Sequence, residues 1–229
     1  MIAYVLLSGG LDSTTVLARA VHHCTNVRAV SIDYGQRHRR EIDAAAAVAC
    51  YYGIPHEVVS ITIPRTMLTD PSIPVPHVSY AEISGVSPTY VPFRNGLMLS
   101  TITSLIAGRH LDPTREGSSD FGDSAMIYWG AHADDAAGDA YPDCTVAFID
   151  AMARAIDIGT YGKISMLAPF ATISKYMIVQ EAVRLAAPLH LSWSCYEGGE
   201  VHCGLCATCR ARKEAFQIAG VDDPTDYAS

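Results

Sequence analysis

A short segment near the N-terminus, SGGLDST beginning at Ser8, combines small, acidic and hydroxyl residues in an order that suits phosphate binding. Gly9 and Gly10 permit a close backbone approach to a ligand, because they carry no side chain and tolerate positive φ. Ser8, Ser13 and Thr14 can donate hydroxyl hydrogen bonds to phosphate oxygens. Free N–H groups at the start of the helix that follows also favour an anion. The segment is therefore a candidate phosphate loop.

The chemistry of this loop differs from that of a Walker loop, which needs a lysine and a different glycine spacing. Asp12 would repel phosphate unless a cation absorbs its charge, so Mg²⁺ is an expected cofactor. An ordinary glycine turn that caps a helix would use the same residues. Composition alone therefore leaves both interpretations open.

A second chemical cluster lies near the C-terminus, where SWSCYEGGEVHCGLCATC places four cysteines within a short distance along the chain. Cys195, Cys203, Cys206 and Cys209 have the number and spacing that suit a tetrahedral structural zinc site. His202 is a possible competing ligand, but four thiolates already complete the coordination. An iron–sulfur cluster remains an alternative, because the spacing does not exclude it.

Polar residues also follow several predicted strands. For each of these segments a solvated loop or a helix cap is the simpler interpretation, but the carboxyl ends of parallel strands meet at one edge of a sheet, which is where ligands bind. As a set they therefore predict a binding site shared with the phosphate loop. The segments are SIDYGQRHRRE (31–41), VPFRNGLMLS (91–100), GAHADDAAGDAYPDC (130–144) and PFATISKYMI (169–178).

The hydrophobic pattern predicts the elements that position these residues. Short, nearly continuous apolar runs alternate with helical periods, which is typical of a parallel sheet with helices on both faces. Strands are predicted at 2–7, 27–32, 56–61, 125–130 and 164–169, and helices at 11–23, 36–53, 95–110, 148–158, 173–187 and 210–219.

The predicted fold class is therefore α/β, with a five-stranded parallel sheet and helices on both faces. Residues 1–190 are expected to form the nucleotide-binding domain, and residues 191–229 a small C-terminal zinc-binding segment with a short helix. Irregular loops are predicted at 62–92, which is rich in proline, and at 112–123, which is polar.

Composition restricts the classes of function. A net charge of −8 argues against sequence-independent binding of nucleic acid, which needs a basic surface. No apolar run approaches the length of about 20 residues that a membrane span needs. The N-terminus lacks the features of a signal peptide, so a cytoplasmic protein with reduced thiols is expected.

The segment SGGLDS after a first strand resembles the signature of the PP-loop ATP pyrophosphatases, which cleave ATP between the α and β phosphates. SGGLDSTT, DYGQRHRRE, VPFRN, YPDC, AFIDAMARAIDIGT and the ending WSCYEGG…HCGLCATCRARKEAF together resemble the QueC family of 7-cyano-7-deazaguanine synthases, up to about Asp223. The resemblance implies a Rossmann-like nucleotide-binding fold and the conversion of 7-carboxy-7-deazaguanine, ammonia and ATP into the nitrile. It also implies one zinc ion per chain and a homodimer.

The resemblance also implies roles for individual residues. The expected ATP-binding residues are Leu7, Ser8, Gly9, Gly10, Leu11, Asp12, Ser13 and Thr14. The expected catalytic residues are Asp12, Ser13, Arg94 and Lys175, of which Arg94 and Lys175 would neutralise charge on pyrophosphate. A pocket for the base needs a few directed polar groups, for which Tyr34, Gln36, Tyr141 and Asp143 are the candidates. Asp143 could accept hydrogen bonds from the guanine-like N–H groups, or it could be only a turn residue after Pro142.

Three alternatives remain at this point. A PP-loop enzyme that thiolates RNA would need a nucleic-acid surface, which the net charge does not favour. A non-enzymatic nucleotide- or zinc-binding scaffold would not need Ser8, Asp12, Ser13 and Lys175 together. An enzyme that stops at the amide, or couples the activated base to another nucleophile, would keep the fold. Departures from the family pattern at 112–123 and before YPDC leave the exact product open.

Overall fold

The strands of the computed structural model form one parallel sheet. The structure describes residues 1–36, 39–64, 68, 77, 87, 90–115, 120, 122–137 and 140–228, so most of the predicted loop 62–92 and part of 112–123 lie outside the described residues. The strands pair in the order β3-β2-β1-β4-β5, and every pair is parallel. The predicted five-stranded parallel sheet is confirmed. The strands are β1 (Ile2–Leu6), β2 (Val27–Asp33), β3 (His56–Ser60), β4 (Ala125–Tyr128) and β5 (Ile164–Leu167).

Helices connect the strands and extend the chain beyond the sheet. The described α-helices are α1 (Leu11–His23), α2 (Arg40–Tyr51), α3 (Arg94–His110), α4 (Ala133–Ala136), α5 (Val146–Gly159), α6 (Lys175–Arg184) and α7 (Ala207–Ala219). Among the described residues, no helix has both the length and the apolar composition that crossing a membrane would require.

The helix boundaries differ from the sequence prediction where a local backbone angle decides them. Helix α6 begins at Lys175 rather than at residue 173, because Ser174 has the extended conformation of an N-cap. Helix α7 begins three residues earlier than predicted, directly after Cys206, which is extended for the same reason. Lys175 is therefore the first residue of α6, and Cys206 is the N-cap of α7.

The residues of β1 alternate between two hydrophobic clusters, as the pleat of a strand requires. Ala3 and Val5 belong to one cluster with residues of α1, α2, α6 and α7. Tyr4 and Leu6 belong to the other with residues of α3 and α5. The helices therefore cover both faces of the sheet, as the apolar pattern predicts.

The C-terminal segment contributes to the same hydrophobic core as the sheet. Ala215 and Phe216 of α7 are buried in one cluster with Leu17 of α1 and Ile178 of α6. The domain boundary between residues 190 and 191 stays a prediction, since a shared core does not by itself define where a domain ends.

A buried arginine holds the C-terminal segment together. Arg212 is fully buried, and its Nε donates to both carboxylate oxygens of Asp223 at 3.1 and 3.2 Å. Its remaining nitrogens donate to Ser192 Oγ at 2.7 Å and to the Leu189 carbonyl oxygen at 3.1 Å. Asp223 also accepts a hydrogen bond from the Tyr227 hydroxyl at 2.6 Å. This network fixes the chain on either side of the cysteine cluster.

Candidate functional site

The candidate phosphate loop lies between β1 and α1, at the carboxyl edge of the sheet. Gly9 has φ of +85° and lies against the Glu41 carbonyl oxygen, which a Cβ atom at this position would strike. Gly130, just after β4, approaches the first turn of α1 so closely that its Cβ would lie 3.2 Å from the Ser13 nitrogen. Glycine is therefore required at Gly9, because the loop is enclosed by backbone on the side of α2.

Two hydroxyl groups of the loop are held close together. Ser13 Oγ accepts a hydrogen bond from the Ser8 nitrogen at 3.2 Å and lies 3.0 Å from Ser8 Oγ. It is also 3.2 Å from the Gly10 carbonyl oxygen, to which it donates. Both serines line a cavity beside the loop, so their hydroxyls are positioned for a ligand at the start of α1.

A charged cluster adjoins the loop. Lys175 Nζ donates to Asp12 Oδ2 at 2.8 Å and lies 3.3 Å from His132 Nε2. Burial opposes the charge on Asp12, but Lys175 and His132 outweigh it and hold the pKa of Asp12 below its usual value. Burial likewise opposes the charge on Lys175, and the carboxylates of Asp12 and Asp135 raise its pKa above the usual value. Both members of the pair are therefore charged.

Two atoms of this cluster are buried without a hydrogen-bond partner in the part of the chain that the structure describes, Asp12 Oδ1 and His132 Nδ1. A carboxylate oxygen beside a phosphate loop is the kind of ligand that Mg²⁺ prefers, so Asp12 fits the expected cation. His132 was not predicted as a site residue. The signal was its position directly after β4, in a segment that the sequence already pointed to.

One cavity of about 220 Å³ joins these groups to the other predicted segments. The structure brings Tyr34, Gln36 and Arg94 to its walls, together with residues of the phosphate loop. It also brings residues that sequence reasoning missed. These are Glu41 of α2, Asp135 of α4, Cys144, Trp129 and Tyr196 of the cysteine-containing segment.

Arg94 lies in this cavity at the start of α3. Its Nη1 donates to the Tyr34 hydroxyl at 3.4 Å. Burial opposes its charge, but the nearby Tyr34, Tyr196 and Glu41 raise the pKa of Arg94 above its usual value. Its role toward pyrophosphate stays a prediction, and its position would suit any anionic group of a ligand.

Gln36 and Tyr34 are linked through the backbone. The side-chain oxygen of Gln36 accepts a hydrogen bond from the Tyr34 nitrogen at 3.0 Å. Gln36 therefore supports the turn after β2, in addition to facing the cavity. Its contact with a base stays a prediction.

Tyr141 and Asp143 do not themselves line the cavity, although Asn95 and Cys144, which adjoin Asp143, do. Asp143 Oδ2 accepts a hydrogen bond from the Asn95 nitrogen at 3.0 Å, which stabilises the first turn of α3. The Tyr141 hydroxyl lies 3.0 Å from Ser87 Oγ, and its ring packs edge-on against Tyr90. Asp143 Oδ1 is buried without a partner among the described residues. The predicted role of both residues in base binding is untested, but these contacts give them a structural task.

The four C-terminal cysteines form a candidate metal centre. The Sγ atoms of Cys195, Cys203, Cys206 and Cys209 all lie within 4.8 Å of one another. A tetrahedral site with Zn–S bonds of 2.3 Å would separate its sulfurs by about 3.8 Å, so small shifts would close the group around an ion. Backbone N–H groups also point at these sulfurs, as two do at Cys195 Sγ at 3.4 Å. The four cysteines could therefore hold a metal ion.

His202 is not part of that group. Its Nε2 accepts a hydrogen bond from the Ser194 nitrogen at 3.0 Å, and its ring lies 4.2 Å from that of Trp193. These contacts fix the His202 imidazole against Trp193, beside the cysteines.

The cysteine segment contacts the phosphate loop directly. The Trp193 nitrogen donates to the Gly9 carbonyl oxygen at 2.8 Å, and the Trp193 indole donates to the Cys195 carbonyl oxygen at 2.8 Å. Tyr196 of the same segment lines the cavity. The segment that could hold a metal therefore also supports one wall of this cavity, beside the candidate phosphate loop.

A family model and curated relatives agree on the family to which this chain is similar. The family model described as queuosine biosynthesis protein QueC matches residues 2–220. A protein of Rhizobium rhizogenes named 7-cyano-7-deazaguanine synthase is 40% identical, over 97% of this chain and 90% of its own length. Proteins with the same name from Rhizobium etli and Rhizobium meliloti are each 38% identical, with the same coverage of both chains.

Proposed function

Because the chain belongs to the QueC family, we propose that it is an ATP-dependent carbon–nitrogen ligase that converts 7-carboxy-7-deazaguanine and ammonia into 7-cyano-7-deazaguanine. The match to enzymes of that name over nearly the whole chain is the observation that carries this proposal. The cavity supports it, since it joins a phosphate loop without a Walker lysine to a pocket with aromatic walls and an arginine.

The first half of the reaction activates the substrate. A carboxylate does not react with ammonia at neutral pH, because oxide would have to leave. Attack of a carboxylate oxygen on the α-phosphorus of ATP releases pyrophosphate and gives a mixed anhydride with AMP. Ammonia then attacks the carbonyl carbon, AMP leaves, and the amide forms. The serine hydroxyls and Lys175 hold the phosphates, while Arg94 neutralises charge on the anionic groups.

The second half repeats the same chemistry on the amide. The amide oxygen attacks the α-phosphorus of a second ATP, and pyrophosphate leaves again. Loss of two protons from nitrogen and departure of AMP from carbon then produce the nitrile. The same site can act twice, because both steps transfer AMP to an oxygen on the same carbon of the bound base.

Two ions accompany this proposal. Mg²⁺ would be held by Asp12 and would reduce the negative charge of the phosphates. Zn²⁺ would be held by Cys195, Cys203, Cys206 and Cys209, and four thiolates leave no open position for water activation. The role of the zinc is therefore structural.

The products of ATP test the proposed reaction class. We expect AMP and pyrophosphate to appear only when the deazaguanine substrate is present, as measured by chromatography of the nucleotides and an assay for pyrophosphate. The appearance of ADP and inorganic phosphate would contradict the assignment of SGGLDS as a loop for AMP transfer.

Loss of the metal should affect both stability and nucleotide binding. We expect Cys206→Ser to lower the metal content and the melting temperature, since the site joins the segments before and after it. Because Trp193 holds the Gly9 carbonyl, the KM for ATP should also rise. Elemental analysis and thermal melting check this, with Cys50→Ser as control because Cys50 is exposed on α2. Finding iron with acid-labile sulfide would contradict the zinc assignment.

We also propose that the protein works as a cytoplasmic homodimer on small molecules and does not bind nucleic acid. The free thiols and the net charge of −8 support the compartment and the substrate class. Val146 and Ile158 of α5 and the neighbouring Tyr161 are exposed apolar residues that a second copy could cover.

A further inference from the structure

Glu41 lies in the first turn of α2, directly beside the phosphate loop. Its carbonyl oxygen faces Gly9, and its side chain lines the cavity. No hydrogen bond to the Glu41 carboxylate contributes to its pKa. The charge of Arg94 lowers that pKa, and burial raises it. Among the described residues, the Glu41 carboxylate is therefore available to a ligand.

The other carboxylates near the cavity have partners. Asp12 holds Lys175 at 2.8 Å, and Asp135 lies 3.3 Å from His132. Asp143 accepts from the Asn95 nitrogen and does not line the cavity. Of these four acidic residues, Glu41 alone lines the cavity with a carboxylate that makes neither a hydrogen bond nor an ion pair in the described part of the chain.

The surroundings of Glu41 suit a flat ring. Tyr34 and Tyr196 line the same cavity as Glu41 and Arg94. Arg94 Nη1 also donates to the Tyr34 hydroxyl at 3.4 Å. Met98 adds an apolar surface to the same cavity. Aromatic and apolar walls with a few directed polar groups are the usual form of a pocket for a heterocycle.

We propose that Glu41 is a specificity-determining residue that accepts hydrogen bonds from the ring N–H and the exocyclic amino group of the deazaguanine. This inference rests on the proposed function, which supplies a base with two adjacent N–H donors. A carboxylate matches two such donors with its two oxygens, and charge-assisted bonds of this kind are strong. The assignment replaces Asp143 as the carboxylate that recognises the base.

The electrostatics of the pocket agree with this role. Burial raises the pKa of Glu41 above its usual value, and Arg94 only partly offsets the effect. Donors from a bound base would favour the charged form and remove this cost. Burial of the charged Glu41 carboxylate therefore lowers the stability of the protein as long as no ligand is bound.

The test compares Glu41→Gln with Asp43→Asn, an exposed acidic residue in the same turn of α2. For Glu41→Gln we expect the KM for 7-carboxy-7-deazaguanine to rise about ten- to a hundredfold, since an amide presents one acceptor and one clashing donor. The KM for ATP should stay within about threefold, and Asp43→Asn should match the wild type. Without ligand, Glu41→Gln should melt at or above the wild-type temperature.

A substrate analogue gives a second readout that a structural role would not change. The wild-type enzyme should discriminate against the analogue that lacks the exocyclic amino group, by about ten- to a hundredfold in kcat/KM. Glu41→Gln should lose most of this discrimination, because the carboxylate that distinguishes the two bases is gone. Asp143→Asn should keep the discrimination and lower the melting temperature instead.

Several outcomes would overturn the assignment. An equal rise in KM for both substrates would place Glu41 at the nucleotide. A fall in kcat with unchanged KM values would make it a proton-transfer group. Selective loss of base binding in Asp143→Asn would return the role to Asp143. If the wild-type enzyme turns over and Glu41→Gln behaves like it, this inference alone fails, whereas a wild-type enzyme that forms no AMP with the deazaguanine contradicts the proposed function itself.

Discussion

A Lys175→Met variant is expected to lose AMP-forming turnover by about a hundred- to a thousandfold while it remains folded. Lys175 donates to Asp12 and lies beside His132 at the edge of the phosphate loop. Removing it takes away a fixed positive charge where pyrophosphate develops its negative charge. The pKa of Asp12 should also rise, because Lys175 is the main group that lowers it against burial.

Steady-state release of pyrophosphate measures this effect, with circular dichroism to verify the fold. Lys163→Met is the matched control, since Lys163 is exposed and its Nζ contacts only the Gly122 carbonyl oxygen, at 3.4 Å, among the described residues. Lys175→Arg should recover part of the activity. A Lys175→Met enzyme with normal turnover would show that Lys175 is a surface residue of α6 without a catalytic role.

The largest effect on stability is expected for Arg212→Ala. Arg212 is completely buried and holds Asp223, Ser192 and the Leu189 carbonyl in one network. Breaking a buried ion pair from one side leaves uncompensated groups and typically costs about 3–5 kcal/mol. For a chain of this size, that corresponds to a fall in melting temperature of roughly 6–20 °C.

Thermal melting by calorimetry checks this result. Arg184→Ala is the control, because Arg184 pairs with Glu181 at 2.8 Å on an exposed surface and should therefore change stability little. Asp223→Asn should lie between the two, since the amide keeps an oxygen that can accept from Arg212. Equal melting temperatures for Arg212→Ala and Arg184→Ala would mean that the network does not stabilise the C-terminal segment.

The fold could be predicted from the sequence because its signals are local. Alternating residues such as Ala3 and Tyr4 each belong to the core on their own side of β1, and the glycines of the loop stand where the chain turns. The cluster of four cysteines that could hold a metal ion could also be predicted, since all four lie close together along the chain. In these cases the distance between residues along the chain determines how close they lie in the folded structure.

The details of the pocket could not be predicted in the same way. Asp143 follows a predicted strand like a ligand-binding residue, yet its carboxylate accepts from the nitrogen of Asn95, 48 residues away along the chain. Glu41 and Tyr196 reach the cavity from α2 and from the C-terminal segment, which only the packed structure brings together. Which polar residue is satisfied and which remains free for a ligand depends on such tertiary contacts.

Mass analysis of the product is the most direct test of the proposed function. The enzyme would be incubated with 7-carboxy-7-deazaguanine, ATP, magnesium and ¹⁵N-labelled ammonium, and the base and nucleotide products would be quantified together. The proposed double adenylation predicts 7-cyano-7-deazaguanine that carries one ¹⁵N atom, with two AMP formed for each nitrile. Accumulation of the amide with one AMP for each product, or a base product without the label, would contradict it.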